Sequence, residues 1–516
     1  MKKIITLLVC SALVLSMFSS CGGQKADKGS DKNKAAAESN ASGVKDTLNI
    51  AMGDMPSPNP YGVNSVPVSI TSYLTHSKLV GIDPDTNTLK PELALSWTPN
   101  EDNTVWTFKL RQNVKFQNGD EFTAKDVKFT FDYAGKASQN IGNPWRANIK
   151  EVNVIDDYTA EIVLNATGAD FPSYCSREML SKKAFETMED DDLAAAIGTG
   201  PYKFIEHISG VSYSYERFDD FWGDPAPTRK IVFKVIEEET VAELALSSGD
   251  VDAMNVNQAD IAMRLANNKD YVYYTKQSGD SVYMGMNMDT IKDLKVRKAI
   301  AKAINRDELV AAFAGGGVTG TPVYTFFTPS SEGFVGPEIL DFDPDGAKTL
   351  LAEAGYKDGL TLQLYFISGV HSVIAEIIQA QLAEVGINVV LNERAGSGYS
   401  RTLKEEGGYD LYINLCGDLG GVLGYWLTQV GPGLPLNRMN YNNPEANALF
   451  EKAVSADYED LIKYWGEMQM IFANDCPAVA LIGMNRSIAG VKGLDGVKIG
   501  NSEKRIDFSH AYVKTN

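Results

Sequence analysis

IVFKVIEEETVAELALSSGDVDAM, residues 231–254, is the stretch on which the fold turns. Ile231–Ile236 is a short apolar run and reads as a strand, Thr240–Ser247 is an amphipathic helix, Gly249 stops it, and Val251–Met254 is a second short strand. A strand, a helix and a strand in so few residues make a βαβ unit, which implies parallel pairing and a right-handed crossover.

A second unit of the same kind lies downstream. Asp343 caps a helix that has Pro344 in its first position and Gly355 past its end. Leu360–Phe366 is a strand, and a long helix follows with Ile374, Ile377, Ile378, Leu382 and Val385 facing inward. Gly386 terminates that helix and Ile387–Leu391 is again a strand. Two separate α/β sheets fit this pattern, and no repeat of 20–50 residues runs through the chain.

Upstream, Leu48-Asn49-Ile50 reads as an opening strand that breaks at the Pro-rich turn Met55–Pro60. Val105–Leu110 alternates, with Trp106, Phe108 and Leu110 on one face, and so predicts a half-buried strand. Asn118-Gly119 predicts a two-residue hairpin turn. Thr123 and Asp126 form a T-x-x-D capping pattern that opens a helix bearing Val127 and Phe131 on one side.

The chain has 516 residues, enough for two to four domains at roughly 100–200 residues each. Lys and Arg total 48 against 67 Asp and Glu, a net charge of −19, and a surface this acidic repels phosphates and argues against nucleic acid. One stretch alone is apolar enough to meet a bilayer. Lys2 and Lys3 precede Ile4–Phe18, and Ser19-Ser20-Cys21 follows, the layout of a secretory signal too short to remain as a spanning helix. The Ser-Ser-Cys ending resembles the bacterial lipobox, which implies lipidation of Cys21. Residues 22–46 contain one aliphatic side chain larger than alanine, Val44, and read as a flexible tether to a globular body outside the membrane. Apart from Cys10 and Cys21 the cysteines are Cys175, Cys416 and Cys476, with no C-x-x-C spacing, so neither a disulfide framework nor a structural zinc site is expected.

Sequence patterns of catalysis are absent: no G-x-S-x-G, H-E-x-x-H, Walker A or S-x-x-K set occurs, and the chain does not read as an enzyme. Gly315–Gly320 (GGGVTG) matches G-x-G-x-x-G formally, but it follows a helix and leads into Thr321-Pro322, so it reads as a loop or hinge. Asp83, Asp85 and Asn87 imitate the start of a calcium loop that lacks its Gly and ends on Ala94 in place of Glu. Glu189–Asp192 reads as a solvated helix face. The four histidines, His76, His207, His371 and His510, have no metal-pair spacing and read as surface or capping residues. His371 stands out, because it lies in a loop at a strand end, where open α/β sheets bind ligands. No metal or cofactor is expected.

Eight segments in order resemble the large extracytoplasmic solute-binding proteins of ABC importers for peptides and nickel (family 5). They are Leu79–Trp97, Trp106–Ala134 (WTFKLRQNVKFQNGDEFTAKDVKFTFDYA), Gly198–Phe204, Phe221-Trp222, Gly249–Asp252, Asn287 with Val296–Ala299, Ala303–Arg306, and Leu350–Gly355. The resemblance implies an α/β fold of the type II periplasmic-binding-protein kind, two lobes with an inserted extra domain. Its expected boundaries are 47–80, 198–290 and 483–516 for domain I, 81–197 for domain II and 291–482 for domain III. It implies a monomer, tethered to the outer face of the cell membrane, that delivers its ligand to a permease and its ATPase. Trp97, Trp106 and Trp222 become core aromatics on this reading, and Arg297 a buried structural arginine.

A peptide site must also satisfy an α-ammonium and a carboxylate, since an uncompensated buried charge costs several kcal/mol. By resemblance, Asp418 after the strand Tyr409–Asn414 is the ammonium partner, with a loop-capping Asp as the alternative. Tyr283 and Gly285, in YMGMN, match the strand whose backbone lines the cleft, and Val63 and Asn64 match the first lining segment. Trp426 is either a pocket wall or core. Arg146, Arg394 and Arg401 are the candidates for a ligand carboxylate. Nickel, a metal chelate or an oligosaccharide is the alternative ligand on the same fold.

Overall fold

The computed structural model describes residues 43–515, apart from 64, 137–147, 314–317, 328, 330–331, 370, 396–398, 400–402, 404–406, 417–421, 435 and 501–504. Cys21, the signal segment, Gly315 to Gly317, Asn64, Arg146, Arg401 and Asp418 lie outside the described residues.

The chain enters the fold before Thr47. Val44 forms an antiparallel bridge with Lys514, Lys45 N donates to Val513 O at 2.9 Å, and Lys45 Nζ donates to the Asp252 carboxylate at 2.7 Å. The last residues assigned to the tether are therefore part of the body, fastened by backbone pairing that their composition does not announce.

β1 (Thr47–Met52) opens the main sheet. The chain then makes a hairpin, β2 (Val80–Ile82) with β3 (Leu89–Pro91). A separate antiparallel sheet follows, built from β4 (Ala94–Pro99), β5 (Val105–Leu110), β6 (Ile149–Asp156) and β7 (Thr159–Leu164) in the order β4-β5-β7-β6. Return to the main sheet comes with β8 (Tyr202–Ile208), β9 (Ser212–Arg217), β10 (Lys230–Val235) and β11 (Ala253–Val256). The long β12 (Tyr271–Met286) crosses to the second half, where β13 (Gly320–Pro322), β14 (Leu360–Ile367), β15 (Ile387–Arg394) and β16 (Leu411–Cys416) lie. The long β17 (Ala478–Val491) runs back.

Both βαβ units form. β10 and β11 each pair parallel with β1, which lies between them, and the helix Glu239–Ser248 ends at Gly249, whose φ of 80° favours glycine. β14 and β15 pair parallel from Leu360↔Ile387 to Ile367↔Arg394, joined by the helix Ser372–Glu384. The expectation of two separate sheets fails, however. One eleven-stranded sheet runs β15-β14-β16-β12-β17-β11-β1-β10-β9-β8, with β13 on β17. β12 and β17, of 16 and 14 residues, are long enough to serve both halves: Tyr271–Gln277 pairs with Asn485–Val491, and Ser281–Gly285 with Ala478–Gly483. Between Gln277 and Ser281 the register shifts.

Apolar side chains sort accordingly. On β12, Val282, Met284 and Met286 enter one core with Leu364, Ile378 and Leu411, while Tyr283 enters another with Tyr412, Trp465 and Phe472, the period of two expected of a strand buried on both faces. Around β1, Leu48, Ile50, Phe233 and Phe508 form a core, and the four-stranded sheet has its own with Phe108, Phe116, Val127 and Ile162. The helix over that sheet, Ala124–Ala134, begins with the reciprocal Thr123–Asp126 capping box. Asn118-Gly119 turns by a different route from the one expected. Gly119 N donates to Phe116 O and Phe116 N to Asp120 O, both at 2.8 Å, which makes a three-residue loop with Gly119 at φ 91°.

Candidate functional site

Strand direction locates the site. β1, β10 and β11 run parallel, and β12 shares their direction because both β11 and β12 pair antiparallel with β17. β14, β15 and β16 run parallel to one another, and β16 is antiparallel to β12. Val256, at the end of β11, shares the partner Ser487 with Thr275, and Cys416, at the end of β16, faces Ser281. The carboxyl ends of both parallel sets thus point, from opposite sides, at the register shift in β12. Open α/β sheets take ligands outside the carboxyl ends of their strands.

At the shift, Ser278, Gly279 and Asp280 leave the ladder and are satisfied otherwise. Ser278 Oγ donates to Met484 O at 2.9 Å, the Tyr425 hydroxyl donates to Gly279 O at 3.3 Å, and Arg486 Nη2 donates to Asp280 Oδ2 at 2.6 Å, with both charged side chains buried. None of these was read from the sequence. The signal available was Gly279, a glycine inside an otherwise strand-like run, which marks a bulge.

Arg394 ends β15 on the rim of the site. It is half-buried, its guanidinium sits 4.6 Å from the centroid of the Tyr365 ring, and Nη1 donates to Glu393 O at 3.0 Å. It makes no ion pair among the described residues, although the chain carries an excess of carboxylates. His371, at the cap position of the helix after β14, is 3% exposed, and its Nδ1 has no hydrogen-bond partner among the described residues. Burial holds it at about 4, so the ring is neutral at pH 7.

The surface reading is corrected for two of the histidines, which are buried, though both stand at cap positions as the alternative had it, His76 after the helix Val66–Thr75 and His371 before Ser372–Glu384. His76 is as deeply buried as His371 and is likewise lowered to about 4 by burial. His207 pairs with Asp54 at 2.8 Å, and His510 Nδ1 lies 2.9 Å from Ser509 Oγ.

Tyr283 and Gly285 do not offer their backbone to a ligand. Tyr283 faces Asn414 on one side and Ala480 on the other, and Gly285 faces Tyr412 and Ala478. Strand addition needs a free edge, and β12 has none at these positions. Gly285 answers to packing: a Cβ there would lie 2.3 Å from the Tyr412 ring. Trp426 is likewise core, 1% exposed, edge-on to Tyr441 at 5.9 Å and stacked with Phe450 at 6.2 Å. Val63 is 46% exposed just before Ser65, which caps the helix Val66–Thr75.

Arg297 is buried and donates to the carbonyls of Asp475, Ile291 and Lys292. Trp106 is core, Trp97 packs against that core, and Trp222 donates to Ser77 Oγ at 3.0 Å beneath the Arg111 guanidinium. Asp192 accepts from Ser57 and Asn59, so the acidic run ties segments together as well as facing solvent. Cys175, Cys416 and Cys476 are buried and form no disulfide among the described residues. Among the described residues no group of three metal-ligating side chains occurs, and no helix is long and apolar enough to cross a membrane.

Residues 88–422, more than half of the chain, match the family described as bacterial extracellular solute-binding proteins, family 5 Middle. The chain belongs to this family. Among its relatives, this family 5 protein is 25% identical over 520 residues to Heme-binding protein A of Haemophilus influenzae, covering 92% of this chain and 93% of that one. It is also 25% identical over 468 residues to the dipeptide-binding protein of Escherichia coli, covering 82% and 84%. The structure of HbpA2 from Haemophilus parasuis superposes with a TM-score of 0.84 at 21% identity, over 91% of this chain and all of that one, and shows the same fold.

Proposed function

We propose that this family 5 protein is the substrate-binding lipoprotein of an ABC importer, and that it captures peptides between its two halves and releases them unaltered to a membrane permease. Arg394 carries the peptide reading: a half-buried guanidinium without a carboxylate partner among the described residues, at the carboxyl ends of parallel strands, suits a ligand carboxylate. The dipeptide-binding relative supports the same ligand class. Asp418 would take the ammonium, and Cys21 would bear the lipid that holds the protein outside the cell. The division into domain I, an inserted domain II (81–197) and domain III (291–482) belongs to this reading.

Native mass spectrometry of the protein as purified tests it, because an enclosed ligand survives purification and its mass separates peptide from chelate and sugar. Peptide masses, and a stabilisation of about 2.7 kcal/mol at a ligand concentration a hundred times Kd, are the expected results. Indifference to every peptide mixture would sink the proposal. A metal-chelate or haem ligand is the second reading, favoured by the partnerless imidazole of His371 and by the haem-binding relative.

A further inference from the structure

Away from the register shift, the four-stranded sheet meets the helices Pro444–Ala453 and Tyr458–Asp475. Asn103 Nδ2 donates to Ala456 O at 2.8 Å, Thr167 Oγ1 to Val454 O at 3.0 Å, and Ala169 N to Val454 O at 3.1 Å. Beside these contacts the seam forms a half-open pocket of about 510 Å³, within the range of small-molecule sites.

Its walls are of two kinds. Trp97, Trp106, Tyr458 and Pro172 supply aromatic and apolar surface, and Asp170 and Glu332 supply carboxylates, with Asp457 at the rim. No Lys, Arg or His lines it among the described residues. Asp170 is 3% exposed and precedes a one-turn helix without capping it; its Oδ2 instead accepts the Leu423 amide at 3.3 Å across the seam. Burial pushes its carboxyl up to about 7, and neighbouring Glu332 adds to the shift. Glu332, itself raised by burial, accepts the Tyr458 hydroxyl. Trp106, 6% exposed, has an Nε1 with no acceptor among the described residues. A buried carboxylate without a cation is costly, and an ammonium between it and aromatic faces relieves that cost.

We infer that this seam is a second binding site, for a small organic cation with an ammonium head and an apolar body. The cation would sit between the carboxylates and the indole faces and bridge the two bodies that meet there. The inference does not rest on the importer reading.

Calorimetric titration of the purified protein at pH 7.5 tests it, with choline and its uncharged carbon isostere 3,3-dimethylbutan-1-ol as probes. Choline should bind saturably and the alcohol at least tenfold more weakly. Asp170→Asn and Glu332→Gln, each checked for an unchanged circular dichroism spectrum, should weaken choline at least tenfold. Absence of saturable choline binding, equal binding of the alcohol, or unchanged affinity in both variants overturns the inference. Peptide titrated into the same samples keeps the two ideas apart, since peptide binding without choline binding defeats only the seam site, and the reverse defeats only the importer reading.

Discussion

Arg486 on β17 donates to Asp280 on β12 at 2.6 Å, at the point where the two long strands lose register. Their side chains are 9% and 7% exposed, so the pair is held out of water where the sheet passes from one half to the other. Breaking such a pair deprives a buried charge of a close counter-charge, which costs about 3–5 kcal/mol, whereas replacing both partners is much cheaper. Arg486→Met should therefore destabilise by about 3 kcal/mol or more in urea unfolding, and the double variant with Asp280→Leu should recover at least half. A double variant no better than the single one would show that the pair is not coupled.

Arg394→Ala should weaken peptides with a free C-terminal carboxylate by about ten- to a hundredfold, the size of one charge-assisted hydrogen bond. C-terminally amidated peptides should bind parent and variant alike. Calorimetry with matched acid and amide peptides checks this, and an equal loss for both would remove Arg394 from the site.

Asp418→Asn makes the complementary case at the other end of the ligand. Free-amine peptides should weaken sharply while N-acetylated ones are spared. If both respond alike in parent and variant, Asp418 is not the ammonium partner.

How much of this could be read from the chain depends on the range of the forces involved. Helix boundaries were legible because caps act within a few residues: Thr123 with Asp126, and Asp343 before Pro344, form the caps that their spacing predicts. Fusion of the two sheets was not, because it rests on the pairing of β12 with β17, some two hundred residues apart, and either strand alone looks like an ordinary one. Burial of His76 and His371 was equally hidden, since their neighbours in sequence are polar as often as apolar. Arg394 was one of three arginines the chain offered for a carboxylate. Its lack of an ion partner among the described residues is a tertiary fact, and Arg146 and Arg401 lie outside those residues.

Gly285→Ala tests the packing role of a residue whose family position suggested ligand contact. The added methyl would meet the Tyr412 ring at 2.3 Å, in a strand fixed on both sides, and overpacking of this kind costs about 1–3 kcal/mol. Tyr412→Leu in the same chain should recover part of the loss in urea unfolding. Stability unchanged by Gly285→Ala would mean that the ring moves freely.

Asp170 makes stability fall as pH rises. Its folded-state value of about 7 lies above the ordinary carboxyl value of 3.8, so between those limits the native state holds a proton that the unfolded chain has released. Each pH unit in that window removes about 1.4 kcal/mol. His76 and His371, lowered to about 4, act in the opposite sense and cost stability as pH falls below about 6.5. The difference between Asp170→Asn and parent isolates the carboxyl: from pH 5 to pH 8 the variant should gain about 3 kcal/mol relative to the parent. A gap that does not change with pH would place Asp170 in water.

An unbroken sheet that spans both halves changes what opening the protein would require. No ladder has to come undone, because each long strand keeps its neighbours above and below the irregular stretch at Ser278–Asp280. The work of gaping falls instead on a few backbone torsions there and on the contacts that Asn103, Thr167 and Ala169 make with Val454 and Ala456. A body built in this way would bend like a leaf spring with a clasp at one side, its β12–β17 ladder kept on either side of the bend.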